Sequence, residues 1–180
     1  MKKVLIISTS PRKGSNSETL ATKFGEGAIE SGHAVEKVSL YGKSIAFCRG
    51  CFACQKIGKC VIDDYANEIT EKMLASDVIV FATPVYYYTM CGQMKTVIDR
   101  ANSLFKKDYK FREVYIIASA DDPADSTMDG VRNGVECWLK CYPKASVKGT
   151  LLCGGIEDEG AVFGCPEKLN EAYEMGKRIL

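Results

Sequence analysis

The first twenty residues, MKKVLIISTSPRKGSNSETL (Met1–Leu20), decide the fold because an apolar run leads directly into a polar loop. The aliphatic residues Val4–Ile7 predict a buried strand over Val4–Ser8. The loop Ser8–Ser17 is rich in small and hydroxyl side chains, and an amphipathic segment follows it. This order is typical of a turn that binds an anion, because free backbone amides and the positive end of a helix dipole meet there. The alternative is an ordinary turn in which a serine or asparagine only caps the helix.

The loop carries hydroxyl, amide and guanidinium donors, but neither of two common nucleotide-binding motifs. It has no Gly-x4-Gly-Lys-[Ser/Thr] pattern, so the usual chemistry of nucleoside triphosphates is not supported. The Gly-x-Gly pattern Gly25–Gly27 lies inside the predicted helix Leu20–Glu30, not after a strand, and we predict a structural role for it. The loop therefore predicts a site for a monophosphate, held without a metal. The candidate phosphate ligands are Ser10, Arg12, Ser15, Asn16 and Ser17.

Apolar runs and helical patterns alternate along the rest of the chain, and this alternation predicts an α/β fold with a doubly wound, five-stranded parallel sheet. We expect a single domain over residues 1–180. Ligands of such sheets bind beyond the carboxyl ends of the strands, so the loops that leave the first, third and fourth strands are the candidate site. The further predicted strands are Ala34–Leu40, Val78–Ala82, Val114–Ser119 and Val147–Cys153, and the further helices are Tyr65–Ala75, Gln93–Phe105, Ser126–Tyr142 and Pro166–Arg178.

Composition and charge exclude several classes of protein. A formal net charge of +1 argues against a nucleic-acid partner. No segment has the apolar length of a membrane span, and the run after Lys2 and Lys3 is too short for a signal peptide, so we expect a soluble, cytoplasmic protein. The single histidine, His33, would have to serve any Ser-His-Asp or Cys-His hydrolase and rules out a histidine-rich zinc site. The nine cysteines are expected to be thiols, metal ligands or redox groups.

The loop after the third strand, Thr83–Gly92, contains the three consecutive tyrosines Tyr86, Tyr87 and Tyr88. Three tyrosines in a row cannot all face a core, and flat amphipathic rings suit a planar heterocycle. The alternative is an aromatic surface patch or a subunit interface. Ser119 and Ala120 leave the fourth strand and could flank the same ligand.

The long connection between the second strand and the next helix, residues 41–64, is here called the cysteine loop. Four of its residues have the spacing C-x2-C-x2-C-x5-C, which resembles the ligand run of a [4Fe–4S] cluster more than the separated knuckles of a zinc site. Nearby lysines and an arginine could offset the charge of thiolates. The alternative is a structured loop with free thiols. The candidate metal ligands are Cys48, Cys51, Cys54 and Cys60.

Taken together, these segments resemble the flavodoxin-like NAD(P)H-dependent FMN reductases. The cysteine loop, which runs into Cys60–Asp64, is similar to the iron–sulfur flavoprotein branch of that family. The resemblance covers Met1 to about Ser119, and the remaining third matches only in its rhythm of strand and helix. The segments that carry it are Ser8–Ser17, Thr83–Tyr86, Gly92–Lys95 and Ile98–Arg100.

The resemblance implies a sheet order of 2-1-3-4-5 and a bound FMN. Its phosphate would lie on the first loop, and Ser119 and Ala120 would close the far side of the flavin. No side chain is implied as a catalytic acid or base, because the cofactor carries the chemistry. The flavin ring would lie against Pro84, Val85, Tyr86, Tyr87 and Tyr88.

The resemblance also implies the reaction and the partners. The first hypothesis is an FMN-dependent oxidoreductase that passes electrons from NAD(P)H to an acceptor such as a quinone or free flavin. The alternative is an iron–sulfur flavoprotein that receives electrons from ferredoxin through a [4Fe–4S] cluster and FMN. In both cases the chain is expected to form a homodimer or homotetramer.

Overall fold

The apolar run at the start of the chain forms an interior strand of a parallel sheet in a computed structural model that describes residues 1–180. The sheet order is β2-β1-β3-β5-β6, and the short β4 pairs antiparallel with β3 alone. In the numbering of the five predicted strands this order is 2-1-3-4-5, so the predicted fold class and sheet order are confirmed. The strands are β1 (Lys3–Ser8), β2 (Ala34–Ser39), β3 (Val78–Tyr86), β4 (Thr89–Met90), β5 (Glu113–Ser119) and β6 (Ser146–Cys153).

Helices cover both faces of the sheet. Successive side chains of β1 point to opposite faces, so that Val4 and Ile6 join one apolar cluster while Leu5 and Ile7 join the other. Burial on both faces explains why this strand is a continuous apolar run without alternation. None of the helices is long and apolar enough to cross a membrane. The helices are α1 (Asn16–Glu30), α2 (Ala53–Ile57), α3 (Tyr65–Ala75), α4 (Gly92–Arg100), α5 (Asp129–Leu139) and α6 (Pro166–Lys177).

Several predicted boundaries were wrong. The first helix begins at Asn16, four positions before the predicted Leu20, because the Oγ of Ser15 caps it by accepting from the amide of Glu18 at 3.3 Å. The helix predicted over Gln93–Phe105 ends as an α-helix at Arg100 and continues as a 3₁₀ turn over residues 101–104. The one predicted over Ser126–Tyr142 is a 3₁₀ turn over residues 125–128 followed by α5.

The prediction of a loop over Thr83–Gly92 was also wrong at its start. β3 continues through Pro84 to Tyr86, because its pairing with β1 ends at Ala82 and leaves one edge free, where proline is tolerated. The chain then turns back into β4. Both turn residues, Tyr87 and Tyr88, have positive φ angles of 48° and 61°, as in a type I′ hairpin turn. Residues 85–90 are called the tyrosine hairpin below.

The helices α1 and α6 cross at two glycines. A Cβ atom on Gly27 would lie 2.0 Å from the carbonyl oxygen of Tyr173, and one on Gly176 would lie 1.9 Å from that of Phe24. Backbone atoms cannot move aside as a flexible side chain would. Gly27, half of the Gly-x-Gly pattern, therefore lies at a helix crossing and not at a nucleotide.

We predict that Gly27→Ala lowers the free energy of unfolding by about 1–3 kcal/mol, because the added methyl group forces the two helices apart. Urea denaturation checks this value. The matched control is Gly92→Ala in the first turn of α4, where no atom lies within 4 Å of the added carbon, and it should change stability by less than about 0.5 kcal/mol. Equal losses in both variants would contradict the close crossing.

Candidate functional site

The carboxyl ends of β1, β3 and β5 meet at one edge of the sheet, and a cavity of about 220 Å³ opens there. We call it the strand-end cavity. It brings together nine predicted site residues from three loops, whereas Ser17, Tyr87 and Tyr88 do not line it. The lining residues are Ser10, Arg12, Ser15, Asn16, Pro84, Val85, Tyr86, Ser119, Ala120, Asp121, Ile156, Glu157 and Glu159.

The loop after β1 presents hydrogen-bond donors to this cavity at the start of α1. Ser10 and Ser15 are buried, and Ser15 Oγ lies 3.4 Å from Ser17 Oγ. The backbone amides of Asn16 and Ser17, in the first turn of α1, have no acceptor within the chain. The turn therefore caps the helix and still leaves two amides without a partner, so capping does not exclude the anion site, which stays a prediction.

The side chain of Asn16 makes two long-range hydrogen bonds that the sequence did not reveal. Its Nδ2 donates to the carbonyl oxygen of Asp158 at 2.9 Å, and its Oδ1 accepts from the amide of Val162 at 3.3 Å. Arg12 Nη1 donates to the carbonyl oxygen of Glu157 at 3.2 Å. The first loop therefore fixes the segment after β6 beside the cavity. The side-chain amide of Asn16 is used in this contact.

The segment after β6 supplies three cavity residues that were not predicted: Ile156, Glu157 and Glu159. Asp121, after β5, is a fourth. The sequence could have indicated the segment after β6, because ligands bind beyond the carboxyl ends of the strands. Gly154 and Gly155 break the chain at that end of the fifth predicted strand. Three of these four residues are acidic, so this wall of the cavity opposes an anion and suits hydroxyl donors.

The tyrosine hairpin lies at the mouth of the cavity. Tyr86 is 40% exposed and lines the cavity, whereas Tyr87 is fully exposed at the tip. Tyr88 donates its hydroxyl to Asp122 Oδ2 at 3.0 Å, and this bond raises the pKa of Tyr88 above its usual value. The hairpin also packs closely on α5, since a Cβ on Gly130 would lie 2.1 Å from the carbonyl oxygen of Tyr88. The hairpin is therefore tied to the loop after β5 and to α5.

The cysteine loop contains one unpredicted helix, α2, and exposes two of its four thiols. Cys48 and Cys51 are exposed and Cys60 is half-buried, while Cys54 is buried and its Sγ accepts from Asn102 Nδ2 at 3.4 Å. The structure has no group of three or more Cys, His, Asp or Glu side chains placed to hold a metal ion. It therefore places the four predicted ligands in one loop but does not gather them.

Comparison with known proteins gives the family. Residues 2–143 match the NADPH-dependent FMN reductase family, and the chain belongs to that family. It is 39% identical to an iron–sulfur flavoprotein of Methanosarcina thermophila over 110 residues. This matched stretch covers 61% of this chain and 58% of that protein. It is 40% identical to an iron–sulfur flavoprotein of Archaeoglobus fulgidus over 100 residues, and this match covers 56% of this chain and 45% of that protein. The chain thus spans about half the length of the curated relatives it matches.

Solved structures confirm the fold. The NAD(P)H:quinone oxidoreductase from Methanothermobacter marburgensis superposes with a TM-score of 0.73 over 98% of this chain and 94% of its own, at 18% sequence identity. At that identity the likeness concerns the architecture alone. The family suspected from the sequence is confirmed by the family match and by the relatives.

Asn16→Ala removes two hydrogen bonds that hold the segment after β6 to the cavity. We predict a loss of about 1–3 kcal/mol in the free energy of unfolding, because the carbonyl and amide it served are left without these partners. Urea denaturation is the measurement. Asn133 is exposed on α5 and its side chain makes no hydrogen bond, so Asn133→Ala should leave stability unchanged or slightly raised. The assignment is wrong if the two variants behave alike.

Proposed function

We propose that this chain is an FMN-dependent oxidoreductase that passes electrons from NAD(P)H to a small acceptor such as a quinone or free flavin. The observation that carries the proposal is the strand-end cavity, where an amide-rich helix start faces an aromatic hairpin across one sheet edge. Membership of the NADPH-dependent FMN reductase family supports it.

The residues of the first loop fit the phosphate of FMN. The amides of Asn16 and Ser17 are free at the positive end of α1, and Arg12 supplies a cation beside them. The hydroxyls of Ser10 and Ser15 can complete the site. The acidic wall formed by Glu157, Glu159 and Asp121 lies on the same cavity, and its carboxylates suit the hydroxyls of a ribityl chain.

The aromatic side of the cavity fits the flavin ring. Pro84, Val85 and Tyr86 offer apolar surface on one strand end, and the buried Ser119 and Ala120 border the cavity from the next. A volume of about 220 Å³ is below the roughly 300–1,000 Å³ of typical ligand pockets. A bound flavin would therefore be only partly enclosed by this cavity.

FMN supplies the hydride and electron chemistry when it is bound, and the chain's own residues bind and orient it. The only imidazole of the chain takes no part, because His33 accepts from the amide of Lys2 and contacts the carbonyl oxygen of Ile179, away from the cavity. We assign no catalytic acid or base. The amides at the start of α1 and the guanidinium of Arg12 hold the anion in place.

Arg12→Ala should weaken FMN binding about tenfold or more, because a charge-assisted hydrogen bond to phosphate contributes roughly 1.5–3 kcal/mol. Fluorescence titration of the flavin-free protein measures the affinity. The matched control is Lys13→Ala, which removes the same charge from the adjacent position outside the cavity and should change affinity less than about twofold. Equal losses would show that only the net charge of the loop matters.

The electron donor is tested by anaerobic mixing of the flavin-loaded protein with NADPH and with NADH. The proposal expects one of them to bleach the flavin absorbance near 450 nm within seconds, on the order of ordinary enzyme turnover. Bleaching by reduced ferredoxin alone, with neither nucleotide active, would contradict it.

A second candidate function is that of an iron–sulfur flavoprotein with electrons supplied by ferredoxin. The C-x2-C-x2-C-x5-C spacing of Cys48, Cys51, Cys54 and Cys60 favours it, and so do the names of the relatives described above. The four thiols do not converge in the structure, so we derive no step of the reaction through a cluster.

Iron, sulfide and flavin assays on anaerobically purified protein decide between the two. The second candidate expects about four irons per flavin in the wild type and their loss in Cys54→Ser. Cys137→Ser, an exposed cysteine on α5, is the control and should retain the iron. Less than about one iron per flavin in the wild type would exclude the cluster, since its smallest common forms hold two.

A further inference from the structure

The base of the cysteine loop is closed by one buried arginine. Arg100 is the last residue of α4 and is 2% exposed. Its Nη1 donates to the carbonyl oxygen of Ala46 at 2.8 Å, and its Nη2 donates to that of Ile62 at 3.0 Å. Ala46 comes two residues before Cys48, and Ile62 comes two residues after Cys60. One guanidinium therefore joins the two ends of the segment that carries all four cysteines.

Asp64 completes this contact. Both of its carboxylate oxygens accept from Arg100 at 2.8 Å in a bidentate pair, and its Oδ2 also accepts from the amide of Ala46 at 2.8 Å. Its Oδ1 caps α3 by accepting from the amide of Ala66 at 3.1 Å. Burial raises the pKa of Asp64, but the bonds from Arg100, Ala46 and Ala66 outweigh burial and hold it below the usual value.

We infer that Arg100 is a positioning residue that keeps the four-cysteine segment, Cys48–Cys60, folded in the absence of any metal. A planar guanidinium offers donors in a fixed fork and stays charged at every accessible pH, so it can hold two carbonyl groups and a carboxylate together. The bonds at the base of the segment are all made by the protein itself. The inference goes beyond the proposed oxidoreductase and depends on neither FMN nor a cluster.

The same helix connects the segment to the sheet. At the other end of α4, the buried Cys91 lies 3.4 Å from Thr9 Oγ1, just after β1, and 3.4 Å from Thr83 Oγ1, within β3. A helix of nine residues is roughly 14 Å long and rigid. Arg100 thus connects the base of the segment, through α4, to residues that adjoin Ser10 and Pro84 of the cavity in sequence.

Cys54 reports whether the segment is folded. It is the buried residue of α2, and its Sγ accepts from Asn102, which follows Arg100 by two residues. Cys91 and Cys153 are buried in the main core, so their reactivity reports unfolding of the whole domain. The rate of alkylation of Cys54 relative to these two cysteines separates local opening of the segment from loss of the fold.

The experiment measures alkylation of each cysteine by iodoacetamide and mass spectrometry in the full chain, before and after any iron is removed with ferricyanide and EDTA and the thiols are reduced again. In the wild type, Cys54 should stay protected after treatment. Arg100→Lys keeps the positive charge but loses the planar set of guanidinium donors. It should raise the alkylation rate of Cys54 about tenfold or more and leave the rates of Cys91 and Cys153 unchanged. Arg132→Lys, in an exposed pair with Asp129 on α5, is the matched control and should change none of the rates.

The double variant Arg100→Met with Asp64→Asn removes both charges, so no carboxylate is left unpaired, and it should still expose Cys54 selectively. Three results would overturn the inference. Cys54 could remain protected in both variants, or its rate could rise in parallel with those of Cys91 and Cys153. The third is a treated wild type in which Cys54 reacts as fast as the exposed Cys137.

Discussion

Parallel pairing of β1 with a strand on each side is the constraint on which the rest of the structure depends. β1 pairs with β2 on one side and β3 on the other, and right-handed crossovers place the connecting helices on opposite faces of the sheet. The connection that leaves β1 runs through α1 to β2, and the one that leaves β3 runs through α4 to β5, so the two part between the carboxyl ends of β1 and β3 and leave a crevice there. The polar loop that follows β1 and the start of α1 border this crevice, so the position of the cavity follows from the topology before any side chain is considered.

Polar side chains then fix loops that the sheet only brings near each other. Asn16 and Arg12 hold the segment after β6, Tyr88 and Asp122 hold the tyrosine hairpin, and Arg100 holds the cysteine loop. Each of these contacts joins residues distant in sequence through one to four hydrogen bonds to backbone or carboxylate. The site is therefore shaped by a few long-range bonds laid over an apolar scaffold.

Local sequence patterns were enough to predict the buried strands and the position of the cavity. Continuous apolar runs marked the buried strands, and the strand-end rule placed Ser10, Pro84 and Ser119 at one cavity. The role of Asn16 in holding the segment after β6 could not be seen, because its partners lie more than 140 positions away. The extension of β3 through Pro84 depends on where the neighbouring β1 ends. Likewise, cysteine spacing sets which thiols share a loop but not whether their sulfur atoms meet.

The most direct test of the central claim compares the affinity of the flavin-free protein for FMN and for riboflavin, which differ only by the phosphate. If the loop after β1 is the phosphate site, FMN should bind at least about a hundredfold more tightly, since two or more charge-assisted hydrogen bonds depend on that group. The preference should shrink as ionic strength rises. Equal affinity for the two flavins would contradict the assignment of the cavity.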